Sequence, residues 1–420
     1  MNIQKSWITV SEHSDFPLQN IPFGVVKKQD GSTVNATIIG NTVIDLAGLF
    51  SLGYLSNLGI KENIFESKTL NEFIALGKPT WQSTRKRLIE LFEESNTELQ
   101  KNDLHKKQVL HSAASVENLL PVEVGDYTDF YSSEEHATNV GTMFRDPKNA
   151  LLPNWKHIPV GYHGRSSSIV VSGTNIHRPM GQTKPKDADN PIFGPTKLFD
   201  FELEMAFVTG TKTNLGERIA VENADDSIFG VLIFNDLSAR DMQAWEYVPL
   251  GPFLAKSFGS VVSPWIVTLD ALAPFKTSGR KQEPEVLPYL KTKGNYHYDI
   301  NLEVFIQPEN GEENLVCESN MKYLYWNMNQ QLAHQTVNGC NINVGDMYAS
   351  GTISGPDKKS YGSMLELTWR GSEPIKLSNG EERKFINDND SIIMRGFAEK
   401  DGLRIGFGES RTKVLPAKEF

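Results

Sequence analysis

Residues Phe199 to Phe207 read F-D-F-E-L-E-M-A-F. The alternation predicts a β-strand, because successive side chains on a strand point to opposite faces. Phe201, Leu203, Met205 and Phe207 would enter a core, while Asp200, Glu202, Glu204 and Ala206 line the other side. Glu202 and Glu204 then become neighbours in space, and no Lys or Arg stands between Lys197 and Lys212 to offset them. Like charges without compensation repel, so positive charge is expected from elsewhere in the chain. A divalent cation with oxygen ligands would supply it. Taken alone, the stretch reads first as a solvated strand face, the ordinary state of an alternating strand.

The chain around it has 420 residues, enough to bury a large core and to form two or more domains. Hydrophobic residues make up 39% and charged residues 22%, as in globular proteins. Lys plus Arg is 42 against 52 Asp plus Glu, a net charge of −10, which argues against nucleic acid or an anionic membrane as partner. Two cysteines, Cys317 and Cys340, are too few for a disulfide framework and unpaired in spacing for zinc. The start MNIQKSWITVSEHSDFPLQN has no apolar leader-like core, and no run is long enough to span a bilayer; cytoplasmic residence is the expectation.

From Pro22 to Ala47, short apolar runs around Asp and Gly turns predict a small barrel or sheet. From Lys61 to Gln100 the apolar spacing becomes helical, with Ile64, Leu70, Phe73 and Ile74, then Trp81, Leu88, Leu91 and Phe92, divided at Pro79. The LHKKQ segment near Lys106 reads as an exposed connector, and a domain boundary is set before Pro121. Beyond it, strands are expected in VEVGDYTDF, SSIVVSG, LFDFELEMAFVTG, IFGVLIFNDL, SPWIVTL, YDINLEVFIQ and KVLPA, with one helix over Lys322 to Asn338. The expected organisation is residues 1–118 and residues 119–420, mainly β within an α+β class.

Four segments hold polar side chains in apolar or Gly-rich surroundings: DYTDFYSSEEHATNVGTMFR, PVGYHGRSSS, the carboxylate strand, and IFNDLSARDMQAWEYVPLGPFLAKSFGSVVSPW. Together with NWKHIPVGYHGR, NGCNINVGD, SGTISGP and GSMLEL, these strings make the chain resemble the fumarylacetoacetases of the fumarylacetoacetate hydrolase superfamily over essentially its whole length. The resemblance implies an SH3-like N-terminal β-barrel, a C-terminal mixed β-sandwich or roll, and a homodimer. It also implies hydrolysis of a carbon–carbon bond in a small diketo acid, 4-fumarylacetoacetate, to fumarate and acetoacetate in tyrosine and phenylalanine breakdown.

By the same resemblance, Asp129, Glu202, Glu204 and Asp236 hold a divalent cation, an all-oxygen set suited to Mg²⁺ or Ca²⁺. His136 is the implied general base and Glu366 the carboxylate that orients it. Arg240, Gln243 and Lys256 are implied as donors to developing negative charge. Tyr131, Arg145, Tyr162, Gln243, Tyr247 and Thr352 are implied in substrate binding, Arg145 as a carboxylate clamp. A second, smaller metal site is implied beside Lys256 and Ser260.

Each assignment has a plainer rival. Asp129 and Asp236 also read as turn and cap residues, the tyrosines as core or rim, and His163, between Tyr162 and Arg165, competes with His136. Gly351 and Gly355 are expected to allow close backbone approach or positive φ. The chain departs from the family at Ser260, where Thr is usual, and at Glu134 and Glu135, where the family's animal enzymes have a basic and an amide residue; those acids would raise the pKa of His136 if close. Two other readings stay open: hydrolysis of acylpyruvate-type diketones, and a divalent-cation-binding protein without catalysis.

Overall fold

The organising stretch is buried on both faces. In the computed structural model, which describes residues 3–419, it divides into Phe199–Asp200 and Leu203–Thr209, and Glu202 between them bridges to Ser363. Leu203–Thr209 lies near the middle of an eight-stranded sheet, antiparallel to Ile228–Asp236 on one side and to Met347–Ala349 on the other. Next to Met347–Ala349 runs Tyr127–Phe130, parallel, and then Gly161–His163; next to Ile228–Asp236 come Ser260–Val262 and Ile169–Val171.

Phe201, Leu203, Met205 and Phe207 enter the larger core as the alternation requires. They meet Leu302, Val304, Ile392, Met394, Ile405 and Phe407 from a second, five-stranded sheet built on Asn301–Gln307, Ser391–Lys400 and Leu403–Leu415. The opposite face is not solvated, contrary to the expectation for an alternating strand. Ala206 and Val208 join Phe229, Leu232 and Phe234 beneath an N-terminal apolar cluster that includes Phe23, Phe73 and Trp81. Packing on both faces makes this sheet the middle layer of the molecule.

The N-terminal strands form a five-stranded antiparallel sheet in the order Leu110–Ser112, Thr42–Asp45, Thr33–Ile39, Gly24–Lys27, Glu117–Leu119. Helix Lys78–Phe92 joins the same apolar cluster with Trp81, Leu88, Leu91 and Phe92 buried. Pro79 stands in the first turn, where its missing N–H costs no hydrogen bond. Two helical expectations need correction. LHKKQ is no connector but part of helix Asp103–Val109, capped by the Asn102 side chain. The expected helix over Lys322 to Asn338 is only Met328–Thr336, because Asn327 and Gln330 form a reciprocal cap that starts it late; Met321–Tyr323 is a separate short turn.

Candidate active site

The sheet face that packs against the N-terminal domain changes from apolar to acidic at one end. Along Leu203–Thr209 it reads Val208, Ala206, Glu204, with Glu202 just before; along Ile228–Asp236 it reads Leu232, Phe234, Asp236; along Tyr127–Phe130 it reads Tyr127, Asp129. The strand registers set these ends side by side: Glu204 is opposite Phe234, Ala349 pairs with Asp129, and the Asp236 N–H donates to the Glu202 carbonyl at 3.2 Å. The period-two rule thus delivers four acids to one place.

Asp129, Glu202, Glu204 and Asp236 each present an oxygen within 4.8 Å of the others, and all are buried. Two cations reach them. Lys256 Nζ bonds Glu202 Oε2 and, at 2.7 Å, Asp236 Oδ2; Arg240 Nη1 lies 2.8 Å from Glu202 Oε1. Ser260 Oγ donates to Asp236 Oδ1 at 2.9 Å, and the Gly351 N–H donates to Glu204 Oε2 at 2.8 Å. Gly351 has φ of 77°, and a Cβ there would lie 2.2 Å from the Phe130 carbonyl oxygen, so only glycine brings that N–H to the carboxylate. Gly355 has no positive φ, yet it too sits tightly, 2.5 Å from Tyr323 by the same measure.

Burial opposes the charge on Glu202, but Lys256 and Arg240 overcome it and hold that carboxyl below the usual range. Burial raises Asp129 and Glu204 well above it, and the neighbouring acids add to the rise. Asp129 Oδ1 and Glu204 Oε1 are buried with no hydrogen-bond partner among the described residues. Orphaned buried carboxyl oxygens of this kind are costly unless a cation takes them, and an all-carboxylate donor set suits a hard divalent ion. The residues therefore fit such an ion.

Beside the cage stands helix Glu134–Phe144, capped by Ser133 Oγ, which accepts the His136 N–H at 3.1 Å. His136 Nδ1 is 2.6 Å from Glu366 Oε2. An ionised carboxylate only accepts, so Nδ1 carries a proton, and in the neutral ring that leaves Nε2 as the acceptor. Glu366 is fully engaged: Ser354 Oγ at 3.0 Å and Ser363 Oγ at 2.8 Å donate to the same oxygen, and Asn139 Nδ2 donates to Oε1 at 2.9 Å. Burial works against its charge, and His136, Asn139 and Ser363 outweigh burial, leaving the carboxyl below its ordinary range. The Tyr131 ring meets the imidazole edge-on at 5.3 Å.

The remaining candidates lie around this centre. Tyr162 is half-buried, its hydroxyl 3.4 Å from Asp236 Oδ2. Thr352 is buried next to Gly351, and its hydroxyl has no partner among the described residues. Gln243 Oε1 accepts from Arg240 Nη1 at 3.0 Å. Arg145 and Tyr247 are exposed; Arg145 donates to the Ala150 carbonyl while its charge acts on Tyr131, and Tyr247 ends the short helix that carries Gln243. His163 is exposed on its strand. Asp200, expected beside the other acids, instead accepts from Arg240 Nε at 2.8 Å and from the Met364 and Leu365 N–H groups.

Glu134 and Glu135 point to Arg280, not to the imidazole. Asn139, Ser354 and Ser363 were not among the expected site residues. Asn139 follows His136 by three, one helical face, and Ser363 with Glu366 reads as the S-x-x-E cap signature, so both carried a signal.

Residues 127–415 match the family model described as fumarylacetoacetate (FAA) hydrolase C-terminal, and residues 19–121 the model described as fumarylacetoacetase N-terminal. Over 99% of both chains, the protein is 51% identical to the fumarylacetoacetase of Dictyostelium discoideum. It is 51% identical to that of Homo sapiens over 98% of this chain and 99% of the other, and 48% identical to that of Arabidopsis thaliana over 99% and 100%. Among solved structures, a fumarylacetoacetate hydrolase from Exiguobacterium antarcticum superposes with a TM-score of 0.54 at 18% identity, covering 95% of this chain and all of that one. That likeness concerns the fold. Matched over both halves and at half identity along nearly its full length, the chain belongs to the fumarylacetoacetase family.

Proposed function

We propose that this chain hydrolyses the carbon–carbon bond of 4-fumarylacetoacetate, releasing fumarate and acetoacetate, as the last step of tyrosine and phenylalanine degradation. Support comes from its place among the fumarylacetoacetases. The observation that carries the chemistry is the His136–Glu366 pair standing beside a carboxylate cage that still has two orphaned oxygens.

His136 Nε2 takes a proton from water, and Glu366 holds the imidazolium that forms. The water oxygen bonds to a ketone carbon, the adjacent C–C bond breaks, and its electron pair leaves on the acetoacetate fragment as an enolate. That enolate takes its proton back from the imidazolium side. Lys256, Arg240 and Gln243 are the donors assigned to the developing negative charge; a fixed donor of this kind contributes on the order of 3 kcal/mol in a water-poor site. Tyr131, Tyr162, Tyr247, Thr352 and Arg145 are assigned to the hydroxyl and carboxylate contacts that hold the substrate.

Asp129, Glu202, Glu204 and Asp236 would hold Mg²⁺ or Ca²⁺, which when bound polarises the diketone oxygens. The ammonium of Lys256 has no lone pair and serves as counter-charge, so the second, smaller site is assigned to the Ser260 oxygen beside it. Homodimerisation and cytoplasmic residence complete the proposal. The exposed apolar run Trp245, Tyr247, Val248, Leu250, Phe253 and Leu254 supports dimerisation. Among the described residues, no helix is long and apolar enough to cross a membrane.

The test is product analysis after incubation with 4-fumarylacetoacetate and, separately, with acylpyruvates. Fumarate and acetoacetate in equal amounts are expected from the first. Preferential cleavage of acylpyruvates would move the substrate assignment, and inertness toward every diketone would overturn the hydrolase reading.

A further inference from the structure

Helix Glu134–Phe144 begins with two acids, and His136 follows them directly. Acids in a first helical turn suit the helix dipole, but here they lie beside a site read as binding a dicarboxylate. Arg280, 145 residues away from Glu135, answers both. Its Nη1 donates to Glu134 Oε2 at 3.1 Å, and its Nη2 donates to Glu135 Oε1 at 2.7 Å and to the Tyr323 carbonyl at 3.2 Å. Glu134 has a second partner, Lys156 Nζ at 2.5 Å. Among the described residues Glu135 has no second cation, and its Oε2 is buried without a hydrogen bond.

The segment carrying Arg280 is fastened to the same place. Gln282 Nε2 donates to the Tyr325 carbonyl at 2.9 Å, and the Tyr325 N–H donates to the Ser132 carbonyl at 2.9 Å, one residue before the helix cap. Val286 and Leu290 pack with Ala137, Trp155, Tyr325 and Trp326 in a small core of their own, against which Tyr131 rests. The Arg280, Glu134 and Glu135 side chains are only 30%, 23% and 20% exposed, so solvent screens these pairs less than surface ones.

We propose that Arg280 is a positioning residue for the reaction. It ties the first turn of the His136 helix to its own segment, and it cancels the Glu135 charge that would otherwise oppose a dicarboxylate. The inference rests on the reading of His136 as base and of the substrate as dianionic.

The test is steady-state kinetics on 4-fumarylacetoacetate for R280A, R280K and R280A/E135Q at low and high salt. R280A should raise KM about five-fold at low salt, with the rise shrinking at high salt as ions reach the acid that loss of the guanidinium uncovers, while kcat falls only about two-fold. R280K should recover part of the loss, and R280A/E135Q should return KM close to the parent value. An unchanged KM in R280A, or a raised KM that persists in R280A/E135Q, would overturn the proposal. If R280A does not fold, R280K against R280K/E135Q gives the same reading. The parent enzyme separates the two levels: without turnover the site reading itself fails, whereas turnover with an unmoved KM removes Arg280 alone.

Discussion

Two buried carboxylate groups stand side by side in this protein and are satisfied to opposite degrees. Glu366 accepts from His136, Asn139, Ser354 and Ser363, and neither of its oxygens is left open. The cage of Asp129, Glu202, Glu204 and Asp236 receives Lys256, Arg240, Ser260, Tyr162 and one backbone N–H, yet two of its buried oxygens have no partner among the described residues. A saturated carboxylate is a fixed charge that holds its partner in one tautomer. A crowded set with open oxygens is a donor set suited to a cation.

Removing the saturated pair's functional end should have the largest effect. His136→Ala should lower kcat by roughly four orders of magnitude, the upper range for a general base, while leaving divalent-ion binding intact. Near-normal turnover in a kinetic assay would show that another group takes the proton.

A smaller effect concerns a third kind of buried group, one kept neutral. Burial pushes His297 down to about 4, from an ordinary 6.5, and the ring lies 3.0 Å from the Leu324 carbonyl. Between those values the unfolded chain binds the proton and the folded protein does not, so stability rises with pH. Its contribution is complete above about pH 6.5 and is lost as pH falls toward 4, by up to about 3 kcal/mol. Denaturant titrations across that range should show a shallower acid-side loss in His297→Gln than in the parent. Parallel curves would show that this imidazole does not carry the dependence.

The smallest expected change tests how much saturation matters. Asn139→Ala removes one of four donors to Glu366 and should lower kcat about five-fold, the value of one hydrogen bond of about 1 kcal/mol, with KM little altered. A change in KM alone would place Asn139 on the substrate side.

The degree to which this site can be read from the chain follows distance along it. The alternation in 199–207 correctly separates Phe201, Leu203, Met205 and Phe207 from Glu202 and Glu204, because strand period is a local property. That the acidic face is buried depends on an N-terminal domain folding over the same sheet, and no local pattern encodes that packing. The late start of helix Met328–Thr336 was legible in Asn327 and Gln330, but apolar spacing upstream masked it. Asp200 satisfies the same alternation as Glu202 and shares Arg240 with it, yet beyond the strand break its carboxylate is taken up by the Met364 and Leu365 N–H groups. Arg280 gives no local sign of its partners, since charge pairing across 145 residues is settled only by the fold.

The most direct test of the contrast is calorimetric titration of chelator-treated protein with Mg²⁺ and with Ca²⁺, in the parent, in Glu204→Gln and in Glu366→Gln. The account predicts binding in the parent, a loss of affinity on the order of 100-fold in Glu204→Gln, and little change in Glu366→Gln, because ligand charge sets affinity and Glu366 has no oxygen to offer. Equal binding in all three variants, or none in the parent, would contradict it.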